Sequence, residues 1–164
     1  MRKASATGLR LSSPPIAIAT WFGCGYAPIA PGTAGSLAAL ALAYPLATLA
    51  HWRPFYFGAL AVAILPIGIW SATATAEQSH AKDPGIVVVD EVLGQWITLA
   101  GATALNWKSW LAAFLLFRLF DIWKPPPVRC LEALPSGTGI IADDIMAGIY
   151  GALVLFLMGC FNLY

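Results

Sequence analysis

From residue 34 to residue 161 the chain runs as five apolar stretches, broken only by the polar or proline-rich pieces HWRP, EQSHAKDP, NWK and KPPPVRCLEALPSGTG. Stretches this apolar must be buried in protein or lipid, and only a helix satisfies its own backbone hydrogen bonds within one segment of this length. The pattern predicts helices at about 34–50, 55–77, 86–105, 109–123 and 140–161. Crossing a bilayer takes about 20 apolar residues. By that measure 34–50, which contains Pro45, and 109–123 are short, and are expected to be kinked, tucked beside other helices or partly inserted. The expected fold class is all-α, a compact polytopic helical membrane bundle with about five main helices. Residues 1–164 would form one membrane-embedded domain, with 1–20 as a cytoplasmic N-terminal segment.

Composition agrees. Hydrophobic residues make up 59% of the chain and charged ones 10%, where a soluble domain carries about 25% charged residues. A net charge of +1 and the lack of any long basic run exclude nucleic acid as a partner class. Cys24, Cys130 and Cys160 have neither CxxC spacing nor an even count, so they read as free thiols. Arg2, Lys3 and Arg10 before IAIATWFGCG resemble a signal peptide, but cleavage after Ala30 would leave Pro31 at the new terminus, and Trp21 spoils a lipoprotein site at Cys24. Residues 1–33 are therefore expected in the mature chain.

Against that apolar background the acids stand out. Five of the eight carboxylates, Asp90, Glu91, Asp121, Asp143 and Asp144, lie inside or at the ends of apolar segments. A buried carboxylate costs several kcal/mol unless paired, protonated or bound to a cation. A divalent metal is the simplest common reason, with all five as candidate ligands and catalytic groups. Structural interhelical bonds, such as Arg118 with Asp121, are the alternative. Arg118 and Asp121 are three apart on one helical face, and Glu91 shares a face with Gln95. Gly94, Gly148 and Gly151 lie one or two turns beyond the acids, where small residues let helices approach.

Positive residues orient the set. With the N-terminus inside and all five segments spanning, the inside holds Arg2, Lys3, Arg10, Lys82, Lys124 and Arg129, and the outside only Arg53 and Lys108. That topology delivers the acids of three helices to the cytoplasmic leaflet. Two glycine-rich pieces, Pro31-Gly32-Thr33-Ala34-Gly35-Ser36 and Ser136-Gly137-Thr138-Gly139, precede helices on the same side. Free backbone amides there fit a phosphate cradle, and the hydroxyls fit ordinary helix caps equally well. Lys124, Arg129 and Arg118 are candidates for holding phosphate oxygens, or are positive-inside anchors. Most tryptophans fall near predicted helix ends as an interfacial belt would, while Trp96 is expected to pack.

Four strings together resemble a known family. GCGYAPIAPGTAGS from residue 23, DPGIVVVDEVLGQWITL over 83–99, FRLFDIWKPPPVR over 117–129 and GTGIIADDIMAG over 137–148 are similar to the motifs of the phosphatidylglycerophosphatase A family, in order and over about residues 20–150. The resemblance implies a magnesium-dependent lipid phosphatase of the bacterial cytoplasmic membrane, multi-pass and facing the cytoplasm. Its substrate would be phosphatidylglycerophosphate within membrane lipid, its products phosphatidylglycerol and phosphate, and its cofactor Mg2+. It also implies that Asp90 with Glu91 and Asp143 with Asp144 are the family's acidic pairs. Asp121 and Lys124 would form its Asp and Lys-Pro element, and Pro31 to Ser36, with Gly32, Thr33 and Gly35, its substrate loop. Ser136 departs from the pattern, since a glycine is common there.

Magnesium takes oxygen ligands and keeps water and substrate phosphate oxygens, so convergent carboxylates suit it. Other phosphatase chemistries find no footing. His51 and His80 fall on opposite predicted sides, no cysteine has an arginine at thiolate-pocket spacing, and no DxDx(T/V) element occurs. A small ion carrier or channel using intramembrane carboxylates is the competing class, although it would spread its acids along a path across the bilayer.

Overall fold

Prolines and one capping box set where the long helices begin. Proline lacks the N–H that a first helical turn leaves unpaired, so it starts a helix at no cost. Pro14 opens α1 (Pro14–Ala19), Pro31 opens α2 (Pro31–Thr48) and Pro54 opens α3 (Pro54–Ser79). The central α4 spans Val89–Ala100. The next helix, α5 (Trp107–Trp123), starts from Asn106, whose side chain accepts from the N–H groups of Lys108 and Ser109 while Ser109 Oγ accepts from the Asn106 N–H. A short α6 (Val128–Leu131) lies in the linker before α7 (Ser136–Cys160). The computed structural model describes residues 13–164, and every regular element among them is helical, with one 3-10 turn at Cys24–Tyr26. The basic residues Arg2, Lys3 and Arg10 lie outside the described residues.

Several boundaries differ from expectation. The helices expected at 34–50 and 140–161 begin at Pro31 and Ser136, so both glycine-rich pieces are first helical turns rather than loops ahead of helices. The one expected at 86–105 is only Val89–Ala100. Residues 86–88 are non-helical, and the Val88 N–H donates across to the Ala19 carbonyl at 2.8 Å. The other two, expected at 55–77 and 109–123, start slightly earlier, at Pro54 and Trp107. Two short helices, α1 and α6, join the five main ones.

The core is built around α4, which packs on α2, α3, α5 and α7 and buries Val92, Leu93, Trp96 and Leu99 among others. Trp96 lies in that core and donates its indole N–H to the Ala39 carbonyl at 3.0 Å. At 12 residues, α4 is about 18 Å long, well short of a bilayer core of about 30 Å. Helices α4 and α7 approach each other closely. A methyl group at Gly148 would stand 2.6 Å from the Gly94 carbonyl oxygen, and one at Gly94 would stand 2.6 Å from that of Asp144. Thr98 seals the seam by donating to the carbonyls of Gly94 and Gly148 at 3.0 and 3.2 Å. Contacts run Gly94 to Gly148 and Gly101 to Ala152, so α4 and α7 are parallel. The α2 helix runs with them, Gly32 meeting Glu91 and Ala39 meeting Trp96. The α3 helix runs the other way, with Gly68 on Leu93 and Gly58 on Ala100. The starts of α2, α4 and α7 therefore share one end of the bundle with the finish of α3.

Outward faces carry large apolar side chains, including Val62 and Trp70 of α3, Leu111, Leu115 and Leu119 of α5, and Leu153 and Phe156 of α7. Helices α3 and α7, of 26 and 25 residues, are long and apolar enough to cross a membrane. Only 28% and 39% of their apolar windows are buried by the protein, which is too little for core helices of a soluble domain. These are the marks of a membrane protein.

Candidate active site

The close contact of α4 and α7 sets the position of the acids. Asp90 lies one turn before Gly94, and Asp144 lies one turn before Gly148. Because the two helices are parallel and touch at those glycines, their carboxylates meet at the same level. One oxygen from each of Asp90, Glu91 and Asp144 falls within 4.8 Å of the others. Asp90 Oδ1, Glu91 Oε2 and Asp144 Oδ2 are buried with no hydrogen-bond partner. Such atoms are costly to leave unpaired, and among the described residues these three side chains are the ones that could hold a metal ion.

These acids line a cleft of about 240 Å³ at the end of the bundle where α2, α4 and α7 begin. Its wall holds Asp83, Asp90, Glu91, Asp121, Glu132, Asp143 and Asp144, which are seven of the eight carboxylates in the chain. Two lysines, Lys82 and Lys124, are the basic residues on that wall. All five acids singled out from the sequence are thus brought together, but not as equals. Asp121 lies 2.6 Å from Arg118 Nη1 across one turn of α5, a close charge contact in which Nη1 aims no N–H at the carboxylate. Arg118 also reaches toward Glu91, since a methyl group at Gly32 would touch both side chains. Asp143 accepts from Lys124 Nζ at 2.7 Å through Oδ2, leaving Oδ1 buried and unpartnered.

Lys124 ends α5 in the left-handed conformation, at φ 48°, and its N–H caps the Phe120 carbonyl. A non-glycine residue there costs about 1–2 kcal/mol. The turn brings the ammonium to Asp143 and to within 3.7 Å of Glu132. Burial by itself disfavours the charged form. The hydrogen bond and charge of Asp143, with Glu132 and Asp144, outweigh that and hold the Lys124 pKa above the usual lysine range. At the rim of the cleft Asp83 is exposed at its surface, yet lost hydration, aided by Glu132 and Asp121, raises its pKa against the opposing pull of Lys124 and Lys82.

The remaining expected residues are distributed differently. Of the Pro31 to Ser36 segment only Pro31 lines the cleft. Gly32 is buried against Glu91, Gly35 is buried against Val88, Thr33 is half-buried on α2, and Ser36 Oγ donates to the Gly32 carbonyl at 3.0 Å. This segment serves close packing under the acids, and its side chains offer no open cradle. Arg129 is exposed on α6, off the cleft wall. Ser136 and Gly139 do line the cleft, and Ser136 sits at φ 57°, a left-handed position that glycine fills without strain. Asp83 and Glu132 belong to the wall but were not picked out by sequence reasoning. Both sit in polar linkers without periodicity, and only their nearness in sequence to the motifs marks them.

Fold and cleft together define a helical membrane protein whose acids converge at one end of the bundle. A sequence profile described as Phosphatidylglycerophosphatase A matches residues 17–159, and the chain belongs to that family. A relative named Phosphatidylglycerophosphatase A from Escherichia coli strain K12 is 38% identical over 152 residues, covering 92% of this chain and 87% of its own length. One of the same name from Haemophilus influenzae is 40% identical over 150 residues, covering 90% of each. A Bacteroides thetaiotaomicron protein provisionally named as a phosphatidylinositol-3-phosphatase is 40% identical over 145 residues, covering 86% of this chain and 91% of its own. No solved structure gives a significant match. Membership makes the chain a phosphoric monoester hydrolase of phospholipid metabolism.

Proposed function

We propose that this protein hydrolyses the terminal phosphomonoester of phosphatidylglycerophosphate to phosphatidylglycerol and phosphate, using Mg2+ held by Asp90, Glu91 and Asp144. The observation that carries the reading is the convergence of those three carboxylates, with one unpartnered buried oxygen each, in one cleft of about 240 Å³. An all-oxygen donor set of this kind suits a hard divalent cation. When bound, Mg2+ neutralises phosphate charge and lowers the pKa of an attacking water.

The chain's own residues supply the rest. Lys124 directs an ammonium into the cleft beside the acids, where it can hold phosphate oxygens against the surrounding negative charge. Arg118 keeps Asp121 and Glu91 in place from α5. In the reaction a water oxygen bonds to phosphorus and loses a proton, the phosphorus–oxygen ester bond breaks, and the departing glycerol oxygen takes up one proton, so that the alcohol and phosphate balance the water consumed.

The acyl chains stay in the leaflet at the level of the cleft, so the lipid enters sideways. The positive-inside asymmetry supports a multi-pass arrangement in a bacterial inner membrane with the cleft toward the cytoplasm. The competing carrier or channel reading is disfavoured because the acids gather at one end of the bundle instead of lining a path. The Bacteroides relative motivates one further substrate reading, a phosphoinositide monoester. Purified protein in detergent should be assayed on phosphatidylglycerophosphate and phosphatidylinositol-3-phosphate, with Mg2+ and with chelator. Mg2+-dependent release from the first supports the proposal. Preference for the second changes the substrate, and equal release in chelator removes the metal.

A further inference from the structure

The second half of the cleft is organised around Lys124 rather than around an open group of acids. Its Nζ lies 2.7 Å from Asp143 Oδ2 and 3.7 Å from Glu132 Oε2. Asp143 is 4% exposed, and its other oxygen, Oδ1, is buried without a partner on the same wall. Two carboxylates from different elements thus converge on one point, with a third oxygen in reserve, and that point already holds a positive charge. An ammonium has three N–H donors. Asp143 takes one, Glu132 lies within charge-pairing reach, and at least one is left for the cleft.

We propose that Lys124 is the resident cation of this second position, so that the site works with one divalent ion and one ammonium instead of two divalent ions. The inference rests on the reading of Asp90, Glu91 and Asp144 as the divalent site. Two-metal phosphatases place their ions about 3.5–4 Å apart, one on each side of the reacting phosphate. Here a lysine on a left-handed cap lines the same cleft as the triad, its ammonium held among carboxylates that would suit a second ion. Two consequences follow. The wild-type chain holds one divalent ion, and removing the ammonium without removing its carboxylates opens a second divalent site.

The test counts Mn2+ bound to the purified full-length protein in detergent, by calorimetry and by electron paramagnetic resonance. The wild type should bind one Mn2+ per chain, and D90N/D144N should lose it. K124M should bind two, with the spectrum of an exchange-coupled pair, whereas K124R should bind one and K124M/D143N should return to one. Two ions in the wild type would overturn the proposal without any variant being made. A single ion in K124M that keeps wild-type helical content would overturn it as well, and K124Q repeats the test if K124M does not fold. Absence of Mn2+ binding in the wild type would instead sink the underlying metal reading, a different and recognisable failure.

Discussion

Gly148→Ala is the most informative single perturbation of the site, because it touches no carboxylate. The added methyl group would stand 2.6 Å from the Gly94 carbonyl oxygen and 3.1 Å from its Cα, both backbone atoms that no rotamer change can move. Ordinary contact begins at 3.4 Å, so α4 and α7 must part by about 0.8 Å at this level. Overpacking of this kind costs about 1–3 kcal/mol. The functional cost should be larger in proportion. Asp90 and Asp144 lie one turn from the contact on opposite sides of the seam, and a misplacement of about 1 Å in a reacting constellation can cost roughly 100-fold in rate. Thermal unfolding in detergent should show modest destabilisation, while phosphate release falls about 100-fold and Mn2+ affinity weakens. Gly85→Ala, on the same cleft but with nothing within 4 Å of its added methyl, is the stability control and should change stability by less than about 0.5 kcal/mol. A folded G148A protein with wild-type Mn2+ affinity and turnover would refute the claim that the α4–α7 seam sets the geometry of the site.

The other predictions concern charge, backbone and orientation. Asp90→Asn and Asp144→Asn remove one ligand charge each from the triad and should each cost at least about 100-fold in turnover with little loss of fold, read by Mg2+-dependent phosphate release; near-normal activity would assign these acids to packing. Lys124 has its pKa raised by its acidic neighbours, so the stability it contributes should be intact below the ordinary lysine value of 10.5 and be lost only as pH rises past it. Unfolding midpoints of wild type and K124M should therefore keep a constant gap from pH 6 to 9, and a gap closing within that window would contradict the assignment. Ser136→Gly relieves a left-handed serine and should stabilise the fold by about 1 kcal/mol, measured by thermal unfolding. Single thiols at Thr138 and Lys108, both exposed and at opposite ends of the bundle, should label from the cytoplasmic and the opposite side respectively once native cysteines are removed; labelling of both from one side would overturn the topology.

The parts of this protein legible in its sequence are those where one physical cost dominates. Helices α3 and α7 were marked by sheer apolar length, and the convergence of Asp90, Glu91, Asp121, Asp143 and Asp144 followed from the expense of burying charge in an apolar chain. Helix starts were harder to place. The segments PGTAGS and SGTG look like loops by composition, yet Pro31 at the first helical position and Pro135 at the N-cap let helices begin there. GIVVV reads as the opening of a helix, but a cross-chain bond from Val88 to Ala19 keeps residues 86–88 out of it. The i, i+3 spacing of Arg118 and Asp121 made their pairing legible, but the rest was not, because it depends on which cation reaches which oxygen across elements: Lys124 on Asp143, and no protein cation paired with the outstanding oxygens of Asp90 and Asp144.

The seam between α4 and α7 also bears on how the protein is made. Asp90 and Asp144 are 54 positions apart, and α7 follows α4, α5 and α6 in the chain. During synthesis α4 leaves the ribosome carrying two acids in its first turn, with no partner for them yet made. A 12-residue helix so burdened is a poor candidate for entering lipid alone. Its neighbours in the bundle are α3, made before it, and α7, made after it. Assembly of the cleft thus depends on α7 joining α4, and a nascent product stopped after α5 carries Asp90 and Glu91 without Asp143 and Asp144. Chains truncated after Trp123 should leave residues 89–100 open to protease and bind no Mn2+, whereas the finished protein should protect both its seam and its ion.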